Sequence, residues 1–420
     1  MLVCILNKRG EPLMPCHPAK ARELLKQGKV KTVQRTPYTI RLLYGSSGYK
    51  QSITLGVDSG FINIGLSAAT ETKEIYSAEV KLRTDIVKLN SERKMYRRNR
   101  RNRKTWYRQA RFLNRKKPEG WLAPSIQHKL DSHIKIIEKI HNILPISKTI
   151  IEVAAFDIQK IKNPDVSGID YQNGEQTGFW NTREYVLHRD GHTCQHCKGK
   201  SKDKILEVHH IESRQTGGDS PGNLITLCST CHDKVSKGKL VLKVRPSKQF
   251  RAETFMSMVR WKLVRILNSK FSIPDCPVFP TYGYITKSNR IELGLPKSHT
   301  NDAFVIAGGD VQTRTVDMHF VQQVRKCNRK LFKGDRSHIK NTAPREVFGF
   351  RQWDKVIFKK QELFIKGRRL RGVFALSGID GKLIKETSYK NLTLIERAGT
   401  LLTERRKALL PAAELRGTRA

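Results

Sequence analysis

Two cysteine pairs, Cys194-Gln-His-Cys197 and Cys228-Ser-Thr-Cys231, stand thirty residues apart. Four thiolates in two matched pairs satisfy a tetrahedral zinc ion and favour a structural metal over redox chemistry. The remaining cysteines, Cys4, Cys16, Cys276 and Cys327, are scattered without pattern. That distribution suits a reducing compartment rather than a disulfide framework. The gap between the pairs is longer than a plain zinc ribbon needs. It holds Leu206-Glu-Val-His209-His210-Ile211, a strand by composition, and then Asn223, while His232 directly follows the last cysteine. With zinc satisfied by sulfur, the histidines are left for something else. Consecutive helix positions point about 100° apart. If Cys231 faces the zinc, His232 faces elsewhere and can meet His209 or His210 at a second metal.

The chain carries 80 Lys and Arg against 38 Asp and Glu, a formal net charge of +42 over 420 residues. Such an excess repels itself in a compact state unless a polyanion neutralises it, and nucleic acid is the expected partner. No signal peptide is visible, and no apolar run approaches the ~20 residues of a membrane span, so a cytosolic protein is expected.

The length allows several domains. Residues 1–50 read as a small α/β unit: a strand VCILN, a rigid loop Pro12-Leu13-Met14-Pro15, a helix over 18–27 closed by Gly28, and two more strands. Residues 53–68 read as a strand, a glycine-containing turn and a second strand, with Asp58 ending the first. Residues 93–117 hold 13 Lys and Arg in 25 positions, with Tyr96, Trp106, Tyr107 and Phe112 among them. Two readings are open there, a disordered basic arm or a helix clamped between nucleic-acid backbones. Leu130, Ile134, Ile137, Ile140 and Leu144 mark an amphipathic helix, and TIIEV follows as a strand carrying a lone carboxylate, Glu152. Residues 166–181 read as a linker and 251–268 as a helix. VFPTYGYIT (278–286) reads as a strand, and Asp302 opens a helix behind His299. Short strands and the turn Gly378-Ile-Asp-Gly381 give a small basic β-barrel or β-sandwich at the C-terminus.

The order His210-x12-Asn223-x8-His232 resembles the HNH, or ββα-metal, nuclease motif. The resemblance implies that His210 is the general base, for which imidazole suits because its pKa lies near neutrality. It implies that His209 and His232 hold one divalent cation, and that Asn223 orients the histidine-bearing loop or touches the metal. His209 stands where many relatives carry Asp; nitrogen suits magnesium less well than carboxylate does, so magnesium and manganese both stay open. Taken singly, Asp58, Glu152 and Asp302 read as a turn Asp, an edge Glu and a helix-cap Asp. In their order they resemble the split RuvC nuclease, whose RNase H fold gathers three carboxylates around two metal ions about 4 Å apart, with His299 helping to activate water.

The whole arrangement resembles IscB, the transposon-encoded RNA-guided nucleases related to the CRISPR type II effectors. The resemblance implies a multidomain α/β chain: a split RNase H-like (RuvC) fold with an inserted zinc-containing HNH domain, a small N-terminal domain, an Arg-rich bridge helix and a β-rich C-terminal domain. The expected boundaries are 1–50 for the N-terminal unit, 51–85 for RuvC part I and 86–120 for the bridge helix. RuvC part II takes 121–165, the linker 166–181, HNH 182–240, RuvC part III 241–312 and the C-terminal basic domain 313–420. The implied cofactors are magnesium or manganese at both nuclease sites, structural zinc, and an omega RNA that supplies guide and scaffold. The implied partners are that RNA and double-stranded DNA, in a monomeric ribonucleoprotein of the prokaryotic cytoplasm. Arg97, Arg98, Arg100, Arg101, Arg103, Arg108 and Arg111 would grip the RNA; the Pro-Leu-Met-Pro unit would bind its scaffold, and the C-terminal region would read the target-adjacent motif. HNH would cut the guide-paired strand and RuvC the displaced one. The rival readings are a protein-guided homing-type endonuclease and an RNA-guided DNA-binding protein that does not cut.

Overall fold

A computed structural model describes residues 2–47, 49–104, 121–153, 182–212, 221–242, 244, 251–271, 276–325, 344–397 and 399–408. The chain divides into two compact units, Met1–Ala155 with Phe255–Ala420, and Phe156–Thr254. Among the described residues it is a mixed α/β protein with four separate sheets.

The first unit opens with a four-stranded sheet, order β2-β1-β4-β3, from β1 (Val3–Leu6), β2 (Pro12–Cys16), β3 (Val30–Gln34) and β4 (Thr39–Leu42). Helix α1 (Pro18–Lys26) follows β2 and ends before Gly28, whose φ of +69° only glycine adopts readily. The Pro-Leu-Met-Pro segment is a strand, not the expected loop. It lies at the sheet edge, where a proline without an N–H leaves no ladder partner unsatisfied, and a register shift between Val3 and Ile5 absorbs the mismatch.

Three antiparallel strands, β5 (Thr54–Ser59), β6 (Asn63–Ala69) and β7 (Glu74–Lys81), then form the middle of a large sheet. The basic segment begins as helix α2 (Ile86–Lys104). Helix α3 (Pro124–His141) buries the anticipated stripe, with Leu130 and Ile137 fully covered. Strand β8 (Lys148–Val153) pairs parallel with β5. The chain next forms the second unit, with α4 (Thr182–Arg189), β9 (Leu206–His210), β10 (Leu224–Cys228) and α5 (Ser229–Ser236). Helix α6 (Arg251–Phe271) leads back to the first unit, and β11 (Val278–Tyr282) pairs parallel with β8. The strand stops at Tyr282 rather than running to 286: Gly283 already begins helix α7 (Gly283–Glu292). Helix α8 (His299–Ile306) is capped by the Ser298 hydroxyl, which accepts from Asn301 N at 3.1 Å, so Asp302 lies inside the first turn rather than opening it.

Strand β12 (Asp317–Gln323) pairs with β7 and with β18 (Leu401–Lys407), completing a seven-stranded order β11-β8-β5-β6-β7-β12-β18. A C-terminal domain beginning at residue 313 therefore cuts through a sheet. Strand β12 is recruited by the edge of β7 and β18 in turn by the edge of β12, pairings that local composition does not announce. The separate C-terminal element is a five-stranded antiparallel sheet, order β16-β15-β14-β13-β17. Its strands are β13 (Lys355–Phe358), β14 (Gln361–Arg368), β15 (Val373–Ser377), β16 (Leu383–Ser388) and β17 (Thr393–Glu396), and Val356, Ile365, Phe374 and Leu376 are its fully buried core.

The large sheet has two unlike faces, set by the period-two alternation of strands. Leu55, Val57, Ile64, Leu66 and Ala68 point to one side and pack with Leu130 and Ile137 of α3 and with Val259, Leu263 and Leu267 of α6. The alternate positions are Gly56, Asp58, Gly65 and Ser67, a floor of small side chains. Asp58 stands opposite Gly65, and Gly56 opposite Ser67. Helix α8 lies on this floor so closely that a Cβ on Gly65 would fall 1.8 Å from the His299 carbonyl oxygen, and one on Gly56 2.1 Å from that of Ala303. Gly65→Ala must therefore lift α8, at an expected cost of about 1–3 kcal/mol or more. Thermal unfolding of the full chain checks this; an unchanged melting profile would contradict it.

Candidate metal and catalytic centres

In the first unit, the C-terminal ends of the parallel strands β5 and β8 carry Asp58 and Glu152, and α8 adds His299 and Asp302. Asp58 is 7% exposed, and the His299 Nδ1–H donates to its Oδ2 at 2.6 Å. The other ring nitrogen of His299 lies 3.3 Å from Asn63 Nδ2. Arg260, from α6, donates to the Ser59 carbonyl at 2.8 Å and holds a terminal nitrogen 3.8 Å from Glu152. Arg290, from α7, pairs with Asp302 at 2.9 Å. Burial, and next the charge of Asp58, push Glu152 above the usual carboxylate range, with Arg260 and the Thr286 hydroxyl opposing. Burial and Asp58 likewise raise Asp302, with Arg290 opposing. The Asp58 hydrogen bond raises His299. The three carboxylates thus share one electrostatic field, although they come from residues 58, 152 and 302.

Helix α8 is held from behind by a buried network. Arg314 donates to Glu74 at 2.9 Å and to the Asn301 side chain at 3.1 Å, while the Ser67 hydroxyl donates to the other Glu74 oxygen at 2.6 Å. Asn301 adjoins Asp302, so this network sets the register of the acidic residue. Sequence reasoning missed Arg260, Arg290, Arg314 and Glu74. The glycines at alternating positions of β5 and β6 are the one signal that could have announced a closely approaching helix.

The three groups offer carboxylate oxygens, the donor type that hard divalent cations take; burial and then the charge of Asp58 raise Glu152 and Asp302, and Arg260, Arg290 and His299 face that charge.

In the second unit, β9 and β10 pair antiparallel with Ile225 opposite His209 and Leu224 opposite His210, and α5 follows at once. This is a ββα arrangement. Among the described residues, one group of three or more metal-type side chains has all its ligand atoms within 4.8 Å of one another: Cys194, Cys197, Cys228 and Cys231. The Ser201 hydroxyl lies 3.3 Å from Cys197 Sγ, and the hydrogen bonding there lowers that thiol to about 5. Four sulfurs this close, one of them already favoured as thiolate, fit zinc. The scaffold is tied by Arg189, which pairs with Asp190 and donates to the carbonyls of Pro221 and Leu224, and by Asp190, which accepts from Thr226 N. Cys194→Ser is expected to lower zinc content and expose the module to protease, because metal binding is folding free energy in small sites of this kind. Zinc analysis with limited proteolysis checks it; full zinc with native resistance would contradict it.

His209 and His232 meet edge to face with ring centroids 4.9 Å apart. Glu207, two residues before His209 and so on the same strand face, accepts from His232 Nδ1 at 2.8 Å. A carboxylate in that position fixes the tautomer and leaves the lone pair on Nε2. Burial, with His232 and His210 nearby, lowers His209 and favours its neutral form, the form in which an imidazole can bind a metal. His210 belongs to the opposite strand face. Asn223 is fully buried; its amide accepts from Glu212 N at 2.9 Å and donates to Glu212 O at 3.0 Å, clamping the segment after His210. Glu207 was not anticipated, though its i, i+2 spacing from His209 was legible.

Arg97, Arg98 and Arg101 are exposed on α2. Arg100 and Arg103 belong to the same helix, and Arg108 and Arg111 lie outside the described residues, as does the linker over 166–181. No described helix is long and apolar enough to cross a membrane.

Two family profiles match the chain. Residues 3–174 match the family described as RRXRR protein, and residues 194–238 match HNH endonuclease. The first match includes Arg97-Arg98-Asn99-Arg100-Arg101, which spells that pattern. Comparison with the curated proteins gives no match. Among solved structures, the chain is similar to Streptococcus thermophilus Cas9 in complex with the AGAA PAM, at 17% identity over 44% of this chain and 26% of that one, with a TM-score of 0.30. The same protein in complex with the GGAA PAM gives 16% identity over 50% and 30%, with a TM-score of 0.33. The likeness thus spans less than a third of those chains. By domain content the chain carries an RRXRR match followed by an HNH endonuclease match over residues 194–238.

Proposed function

We propose that the chain is an RNA-guided double-stranded DNA endonuclease of the IscB kind, with one nuclease centre in each unit. The observation that carries this reading is the placement of Asp58 and Glu152 at the ends of neighbouring parallel strands, with His299 of α8 on Asp58 at 2.6 Å, in a chain whose interrupting unit matches the HNH endonuclease family. The order β11-β8-β5-β6-β7, three antiparallel strands followed by two parallel ones, supports an RNase H-like (RuvC) assignment for the first centre. The net charge of +42 and the exposed arginines of α2 support a polyanionic guide, an omega RNA.

In the HNH unit, His210 takes the proton from the water that attacks the guide-paired strand. Asn223 holds the histidine-bearing segment in place, and His209 and His232 hold the divalent cation, with Glu207 orienting His232. In the first unit, Asp58, Glu152 and Asp302 hold magnesium or manganese, and His299 serves the water attacking the displaced strand. Bound cations supply positive charge where the phosphate accumulates negative charge. The N-terminal sheet and the C-terminal five-stranded sheet take the scaffold RNA and the target-adjacent motif. A monomeric ribonucleoprotein in the prokaryotic cytoplasm is the working form.

Strand-resolved cleavage of an end-labelled duplex by the reconstituted ribonucleoprotein tests this. Both strands should be cut, and ribonuclease treatment before assembly should abolish cutting. Cleavage that persists without RNA would favour a protein-guided endonuclease.

A further inference from the structure

The end of β11 carries a feature that the proposed chemistry leaves unused. Tyr282 and Tyr284 stack with ring centroids 5.9 Å apart and planes 15° from parallel. Both are solvent-facing, Tyr284 at 73% exposure. They flank Gly283, where a Cβ would stand 3.2 Å from Glu152 Oε1. Thr281, one residue earlier, pairs with Glu152 across the ladder, and the Thr286 hydroxyl in the following turn donates to the Tyr282 carbonyl at 3.5 Å. The aromatic pair therefore stands one residue from the acidic group of the site. The backbone makes the contact with Glu152, so the tyrosine side chains are not needed for that packing.

We propose that Tyr282 and Tyr284 form a stacking platform that holds an unpaired nucleobase beside the scissile phosphate at the Asp58–Glu152–Asp302 centre. This rests on the reading of that centre as a phosphodiesterase. The chemistry is that of sequence-tolerant strand binding: every base has a π-face, and a base inside a duplex has both faces covered. A phenol pair next to a carboxylate of the proposed cation site takes the base that the nucleotide held there presents. Lys287 lies one helical turn beyond Tyr284, where a cation favours the backbone.

The test is photocrosslinking of the full chain to a thymidine oligonucleotide carrying 5-iodouracil, with calcium replacing magnesium so that the strand stays whole. The crosslink should map to the peptide containing Tyr282 and Tyr284. It should fall about tenfold or more in Tyr284→Ala and persist in Tyr284→Trp, which keeps the π-face. Crosslinks confined to other peptides, or unchanged in Tyr284→Ala, would overturn the platform. The readout needs no cleavage. If Asp58→Ala leaves displaced-strand cutting intact, the nuclease reading of the centre fails while the crosslink still decides the platform.

Discussion

Asp58→Ala is expected to convert double-strand cutting into a nick confined to the guide-paired strand, with displaced-strand cleavage falling about a thousandfold or more. Asp58 is the carboxylate whose charge acts on both others, and it is the one that His299 contacts, at 2.6 Å. Removing it takes away a cation ligand and leaves His299 without its anchor. The fold should survive. Asp58 raises Glu152 and Asp302 by repulsion, so its loss relieves strain between buried charges rather than adding to it. One term moves the other way. His299 is raised above its ordinary value by Asp58, so that pair contributes stability below the unfolded histidine pKa, and the contribution is lost as pH rises through the raised value. The variant should therefore lose this part of the pH dependence. Strand-resolved gels on an end-labelled duplex measure the first effect. Retained cutting of both strands would contradict the two-centre assignment.

His210→Ala is expected to give the complementary nick, in the displaced strand alone. Removal of a general base lowers rates by about a hundredfold to ten-thousandfold. His210 ends β9 on the face away from the His209–His232 pair, and the four cysteine sulfurs cluster without it. Zinc content should stay at the wild-type level while guide-paired cutting disappears, which separates loss of chemistry from loss of fold. Equal cutting of both strands, or loss of zinc, would contradict the role assigned to His210.

The module around the cysteines was legible because its signals are local: paired cysteines, a histidine-bearing strand, and a histidine one step past a ligand on a helix. That Asp58 and Glu152 lie in strands was legible locally, each being a carboxylate set in an otherwise apolar run. What escaped depends on distant partners. The Pro-Leu-Met-Pro segment forms a strand because an edge position tolerates proline, and nothing local says which segment becomes an edge. Strand β12 joins the large sheet by pairing with β7, His319 opposite Ala78, and β18 joins by pairing with β12. Nothing local marks Arg260 or Arg290, and only the fold turns them toward Glu152 and Asp302. The closeness of α8 makes glycine a requirement at 56 and 65.

The most direct measurement is co-purification of the chain with RNA after expression alongside its flanking non-coding DNA, followed by sequencing of whatever is bound. One abundant structured RNA with a variable end is the expected result, and it would supply the guide for the strand-resolved assays. Random cellular RNA alone, together with DNA cutting undiminished by ribonuclease, would contradict RNA guidance.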